Sequence, residues 1–341
     1  MRAYTHRLFI LFAGLFALLV TACQSDALPE MQEEVQLQVI LGDEETATRV
    51  NVSGTEFETG NTFQFFFNSD KPVSTGANLK TASYSYNGTT KKWTPNPAIY
   101  WDDYATVERT FCAFLPYDVN NVNQTAYTFN VEANQSVEAN YKASDLLIAR
   151  VQTDRRLIPL KFWHVLSKVV VNVTASTDDS KPDTYFNPDD FAGMEASLVA
   201  IKPEATVAYN ALTTIASNET AFNPTVTTTA GGTESNIQML CTTLPTNNTG
   251  TKKITATYTA VIPPQTIVAK TRSLTFTLTL PDGTTKKQYH FKHNADIEFP
   301  QSKELTINVT LYKNKVVAGN VTIEPWGTIA AKDDTPIVLP K

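Results

Sequence analysis

The chain has 341 residues, 42% of them hydrophobic and 10% aromatic, with 28 Lys and Arg against 34 Asp and Glu. That is enough apolar material for real cores and excludes a disordered tether. The acidic balance argues against a nucleic-acid partner, which needs a clustered basic surface.

Arg2, His6 and Arg7 form a basic front end ahead of an unbroken apolar run at residues 8–20, LFILFAGLFALLV. Val20-Thr21-Ala22-Cys23 follows directly. A basic start, a short apolar stretch and small residues at a cleavage point read as a secretory signal over residues 1–22. The run falls short of the ~20 residues that a membrane-spanning helix needs. Cys23 behind two small residues resembles a bacterial lipobox, in which the cysteine is lipidated and becomes the new N-terminus. The remaining 319 residues suffice for two domains. Their 26 basic and 34 acidic side chains leave a net charge of −8.

Residues 30–34 read as a short acidic spacer, and Val35-Gln36-Leu37-Gln38-Val39 then alternates with the period of a half-buried strand. Residues 63–67 (FQFFF), Tyr84-Ser85-Tyr86 and Ile99-Tyr100-Trp101 are short aromatic strand candidates. Asn87-Gly88 and Pro95-Asn96-Pro97 supply turns between them. The series continues through residues 107–115, 127–131, 146–149 and 157–162, and residues 164–173 (HVLSKVVVNV) end it. Residues 176–190, rich in acids and prolines, read as a linker or long loop.

In the second half, residues 254–262, 274–280 and 305–311 each place apolar side chains on one face with threonines between them. Pro281-Asp282-Gly283 signals a hairpin. Residues 191–198 offer one short helix. Many short strands with turn residues between them predict an all-β protein, two sandwiches in tandem. The expected divisions are a lipidated segment with a removable first strand at 23–49, an N-terminal sandwich at 50–175, a linker at 176–190 and a C-terminal sandwich at 191–341.

The inventory for catalysis is thin, and no enzyme is expected. His290 and His293 are three apart on a strand pattern, which points them to opposite faces rather than at one metal. His164, between Trp163 and Val165, reads as a satisfied core histidine rather than a general base. Asp102-Asp103 caps a turn or chelates a cation. No phosphate-cradling glycine motif or nucleophile elbow occurs. No cofactor or metal is expected. Cys112 and Cys241 sit in apolar strand surroundings, as buried free thiols or as a bridge.

Several segments, taken in order, resemble the fimbrillin family of Bacteroidetes, the subunits of type V pili and related surface lipoproteins. They are Cys23, Thr48-Arg49-Val50, Gly60 with Phe63, Tyr84-Ser85-Tyr86, Trp93, Tyr100-Trp101, FCAFLPY at 111–117 and SDLLIA at 144–149. FWHVLSKV at 162–169, Pro263-Pro264-Gln265 and Ile323-Glu324-Pro325-Trp326 complete the match. The resemblance implies two transthyretin-like β-sandwiches, assembly with other fimbrial subunits by donor-strand exchange, and an outer-membrane, surface-exposed lipoprotein contributing to adhesion. It also implies a trypsin-like cut after an arginine near the mature N-terminus. Arg49 falls where such a cut removes the strand at 35–41 and the lipid together. The C-terminal end is the natural donor, although TPIVLP at 335–340 carries two prolines that lack hydrogen-bond donors. The alternative is a non-polymerising glycan-binding lipoprotein for nutrient capture, with Trp93, Tyr100 and Trp101 as sugar-stacking platforms.

Overall fold

The computed structural model describes residues 33–41, 57–68, 79–101, 108–117, 126–182, 184–208, 224–229, 231–269, 271–280, 283–313 and 315–325. The first half contributes β1 (Gln36–Leu41), β2 (Thr62–Asn68), β3 (Leu79–Asn87), β4 (Lys92–Asn96), β5 (Arg109–Leu115) and β6 (Ala126–Asn130). The short helix α1 (Glu138–Ala143), β7 (Leu147–Thr153) and β8 (Leu157–His164) follow. All of these strands except β6 join one seven-stranded sheet in the order β1-β8-β7-β5-β2-β3-β4. Only the β1–β8 contact in it is parallel.

That sheet is curled. Phe63 on β2 and Phe162 on β8 lie three strands apart, roughly 14 Å on a flat sheet, yet their rings are 5.2 Å apart. The concave face holds Phe63, Phe65, Phe67, Tyr84, Phe111 and Phe162 in one core. The convex face turns Phe66, Cys112, Phe114 and Ile148 into the core of the second half. Covering both faces explains why all five residues of FQFFF are buried, where a strand with one wet face would alternate. The β3–β4 hairpin turns at Asn87, whose side-chain oxygen accepts from the N–H groups of Thr89 and Thr90 at 3.0 Å. Gly88 fits there because a Cβ would collide with Oγ1 of Thr59, which accepts the Gly88 N–H at 2.9 Å.

The remaining strands are β9 (Ser167–Ser176), β10 (Glu195–Ile201), β11 (Glu204–Ala208), β12 (Thr225–Thr228), β13 (Ser235–Gln238), β14 (Leu240–Asn248) and β15 (Lys253–Ile262). After them come β16 (Gln265–Ile267), β17 (Arg272–Thr279), β18 (Lys286–Lys292), β19 (Ile297–Phe299), β20 (Lys303–Tyr312) and β21 (Lys315–Pro325). A five-stranded sheet β14-β15-β9-β20-β21 and a four-stranded sheet β13-β10-β17-β18 share one core. Val169, Val171 and Val173 of β9 meet Leu274 and Phe276 of β17 in that core, as strict alternation along these strands dictates. Smaller sheets β12-β11-β6 and β16-β19 close its ends.

Sheet membership does not follow the chain's midpoint. Strand β9, expected to end the first series, is the middle strand of the second sandwich, antiparallel to β15 and parallel to β20. Strand β6 likewise pairs with β11 of the second half. The change of sheet therefore falls between β8 and β9, ahead of residue 175. The described part of residues 176–190 packs against the body. Phe186 and Phe191 are buried in edge contact at 5.3 Å, and the Phe186 N–H donates to Ser176 O at 2.8 Å. The expected helix at 191–198 is not formed. A 3₁₀ turn at Pro188–Phe191 ends there, and Glu195–Ile201 is strand β10, because Ala196, Leu198 and Ile201 are drawn into the core. Strands β17 and β18 pair as antiparallel neighbours on either side of the expected hairpin, and Gly283 has φ +72°, while Pro281 and Asp282 lie outside the described residues.

Candidate functional site

Among the described residues strand β1 is the edge of the curled sheet. Gln36 to Leu41 run parallel to Leu157 to Phe162 of β8, pair by pair. The register sets Leu37, Val39 and Leu41 opposite Ile158, Leu160 and Phe162, all in the concave core. Gln36 and Gln38 face solvent between them. Within β1 Leu41 is the most deeply buried residue, at 5% exposure, and Val35 just ahead of the strand is buried as well.

The residues just ahead of β1 bond to residues 99–101, which follow β4 at the far end of the strand order. The Val35 N–H donates to Ile99 O at 2.9 Å, and the Trp101 N–H donates to Glu33 O at 2.9 Å. Glu34 and Tyr100 stand opposite each other as an antiparallel bridge. Glu33 and Glu34, expected in a free acidic spacer, are thus part of the fold. Tyr100 and Trp101 were legible as strand, but a partner 66 residues earlier leaves no mark on local periodicity.

Beyond this crossing the two sheet borders part. A groove of about 840 Å³ runs between β1 and the β3–β4 hairpin, lined by Glu34 to Leu41, Phe57, Tyr84, Tyr86, Lys91 to Trp93, and Pro95. Its floor is aromatic. Phe57 stands edge-on to Trp93 at 4.8 Å, and Trp93 packs on Phe63 at 4.6 Å and Tyr86 at 5.0 Å. Burial, with the Glu34 carboxylate beside it, pushes the Tyr84 phenol well above its ordinary range, so it remains a neutral hydroxyl. An open border of this kind offers backbone donors and acceptors over an apolar floor, which is what an extended segment needs in order to add or exchange.

Cys23, Arg49, Asp102-Asp103 and residues 335–340 lie outside the described residues, and so does the signal segment. Residues 316–323 lie within β21, paired along β20. Of the three proposed sugar platforms, Trp101 is 6% exposed and Trp93 is packed against the core; Tyr100 is 41% exposed. Two stacking faces are therefore already occupied by protein. Nδ1 of His164 hydrogen-bonds Oδ1 of the fully buried Asp145 at 2.9 Å, the satisfied arrangement expected for it. Nδ1 of His290 lies 3.1 Å from Oγ1 of Thr275, while Nδ1 of His293 lies 2.8 Å from Ala295 O. Among the described residues no group of three or more His, Cys, Asp or Glu is arranged to hold a metal ion. Cys112 is buried and Cys241 half-buried, and both are free thiols. No helix among the described residues is long and apolar enough to cross a membrane.

Comparison with known proteins agrees with the geometry. The fimbrillin-like family model matches residues 48–326, most of the chain, and begins after β1. No curated protein matches the sequence. A solved structure described as a cell adhesion protein of Bacteroides uniformis is 21% identical, with 86% of this chain and 98% of that one aligned at a TM-score of 0.52. One of the same description from Bacteroides ovatus is 12% identical, with 87% and 99% aligned at 0.54. At such identities the two structures speak for a shared fold. With the family model spanning both sandwiches, the chain belongs to the fimbrillin-like family.

Proposed function

We propose that the protein is a fimbrial subunit that is held in a pre-assembly form by β1 and joins its neighbour by exchanging that strand. The supporting observation is the position of β1. It is an edge strand upstream of the family-matched region, yet Val35 and Leu41 complete a core otherwise built from residues 57–162. In this reading Cys23 carries the lipid, the precursor is held at the outer membrane, and a cut after Arg49 separates β1 from the body. A neighbour's extended segment, drawn from its C-terminal end, then takes the β8 border. The subunit becomes part of a surface fimbria and contributes to adhesion.

The energetics suit an exchangeable strand. Val35 and Leu41 are buried, and Leu37 and Val39 partly so. At ~1.5–3 kcal/mol per fully buried side chain and ~1 kcal/mol net per ladder hydrogen bond, β1 gains roughly 10 kcal/mol. Ordering residues 35–41 costs about 10 kcal/mol. The strand is thus near balance against the chain entropy it costs, and a neighbour's strand can replace it.

N-terminal sequencing of protein sheared from cells tests this. The expected sequence begins at Val50. Surface protein that always begins at Cys23 overturns strand exchange. Loss of filaments in electron micrographs of cells lacking the gene is the matching result for the fimbrial role.

A further inference from the structure

Strand β1 is held in two different ways. Along Gln36–Leu41 it is paired in the parallel ladder with β8 and lines the groove. At residues 33–35 the chain instead bonds across the seam to residues 99–101 by the two 2.9 Å hydrogen bonds from Val35 to Ile99 and from Trp101 to Glu33. This crossing is roofed. The guanidinium of Arg156 lies 4.8 Å above the Trp101 ring and its Nε is 4.0 Å from the Glu33 carboxylate, while Arg109 approaches the same ring at 5.8 Å. Val35 is 2% and Trp101 6% exposed, so the two bonds are shielded from competing water.

We propose that residues 33–35 and 99–101 form a clasp that keeps the lipid-bearing segment seated after the chain is cut between Leu41 and Phe57. The cut then leaves the body attached to the membrane through a noncovalent mooring. Release is a separate step, driven by the strand that replaces β1. The incoming strand takes the β8 border at Leu157–Phe162, and the clasp is a further contact outside that ladder that must also open. This rests on the reading above, in which Cys23 is lipidated and the connection after β1 is cut.

The test uses the chain from residue 23 onward with Cys23→Ser, a site-specific protease sequence over residues 46–52, and a fluorophore at its N-terminus. After complete cutting, the labelled fragment is expected to co-elute with the body on gel filtration. In Val35→Pro, which lacks the N–H donated to Ile99, its dissociation half-life should fall at least tenfold. Because that substitution disturbs β1 as a whole, amide hydrogen exchange on the cut chain without it is the second measurement. The Val35 and Trp101 amides should be protected from exchange in the cut chain. Immediate separation of the fragment, an unchanged half-life in Val35→Pro, or clasp amides exchanging at the rate of an unfolded chain overturns the proposal. None of these readouts involves Arg49, lipid or polymer. Failure of the clasp thus leaves the fimbrial reading standing, and absence of filaments leaves the clasp measurable.

Discussion

The side-chain amide of Gln135 closes a two-bond ring with the backbone of Val261: Nε2 donates to Val261 O at 2.7 Å, and the Val261 N–H donates to Oε1 at 2.8 Å. An amide side chain here stands in for a neighbouring strand, capping the β14-side border of β15 beyond the Leu240–Thr259 pair, while Lys168 of β9 stands opposite Val261 on the other side. Gln265 does the same at Lys202 (3.0 and 3.2 Å), and Gln301 pairs with Val226 and Pro224 (3.1 and 2.6 Å). Gln135 is fully buried, so its two bonds tie the segment after β6 to the second sandwich.

Gln135→Ala removes both partners of a buried backbone pair, and each orphaned group costs ~1–3 kcal/mol. Denaturant unfolding should show a loss of about 2–5 kcal/mol. Gln135→Glu is more informative. Burial raises the folded pKa of the new carboxyl above its unfolded value of ~4.3. Its protonated form can still donate to Val261 O, so the variant approaches the unsubstituted protein at acid pH. The deficit opens as pH rises from the unfolded to the folded pKa. A deficit that is constant with pH would mean the amide acts only as filler.

His290 supplies a second pH test. Burial, with Arg272 and Lys292 nearby, lowers its pKa below the ordinary value. A histidine depressed in the folded state protonates first in the unfolded chain. Stability therefore falls as pH drops through the ordinary value near ~6.5 and levels off below the folded value. His290→Gln should flatten that limb of the stability–pH curve below about pH 7.

Burial pushes both thiols up, and Cys112 is far better shielded than Cys241, whose Sγ hydrogen-bonds Thr243 O at 3.3 Å. In Cys23→Ser protein, a maleimide should modify Cys241 slowly and leave Cys112 untouched until denaturant is added, when both react. Zero reactive thiols in denaturant without reductant would indicate a bridge.

These contrasts trace what is legible in the residues. Alternation in β9, β15 and β20 is local and strict, because one face of each meets a core and the other does not. It identifies strands without identifying their neighbours. Val169 to Val173 carry the same pattern whichever sheet receives them, and only the pairing with β15 and β20 assigns them. Phe191, Met194 and Leu198 stand at helical spacing while Ala196 and Leu198 alternate as in a strand, and pairing with β17 decides it. The clasp was hidden for the same reason. Glu33 and Glu34 look like spacer residues until Ile99 and Trp101 are seen beside them.

Glu34 and Tyr100 offer a way to separate two modes of assembly. The flanking bonds join Val35 to Ile99 and Trp101 to Glu33, so Glu34 and Tyr100 themselves form a non-hydrogen-bonded antiparallel pair, with Cα atoms expected ~4.5 Å apart. That spacing suits a disulfide. In Glu34→Cys/Tyr100→Cys protein, oxidation should lock β1 to the body without disturbing β8 or the groove. If subunits assemble by replacing β1, the oxidised, cut protein should fail to polymerise and should recover on adding reductant. If a strand is instead added in the groove between β1 and β4 with β1 retained, the oxidised protein should polymerise as fast as the reduced one. The second result would leave the seam as the acceptor and remove the need to expel β1. The measurement is light scattering of cut protein with and without reductant, beside a cysteine-free control that responds to neither.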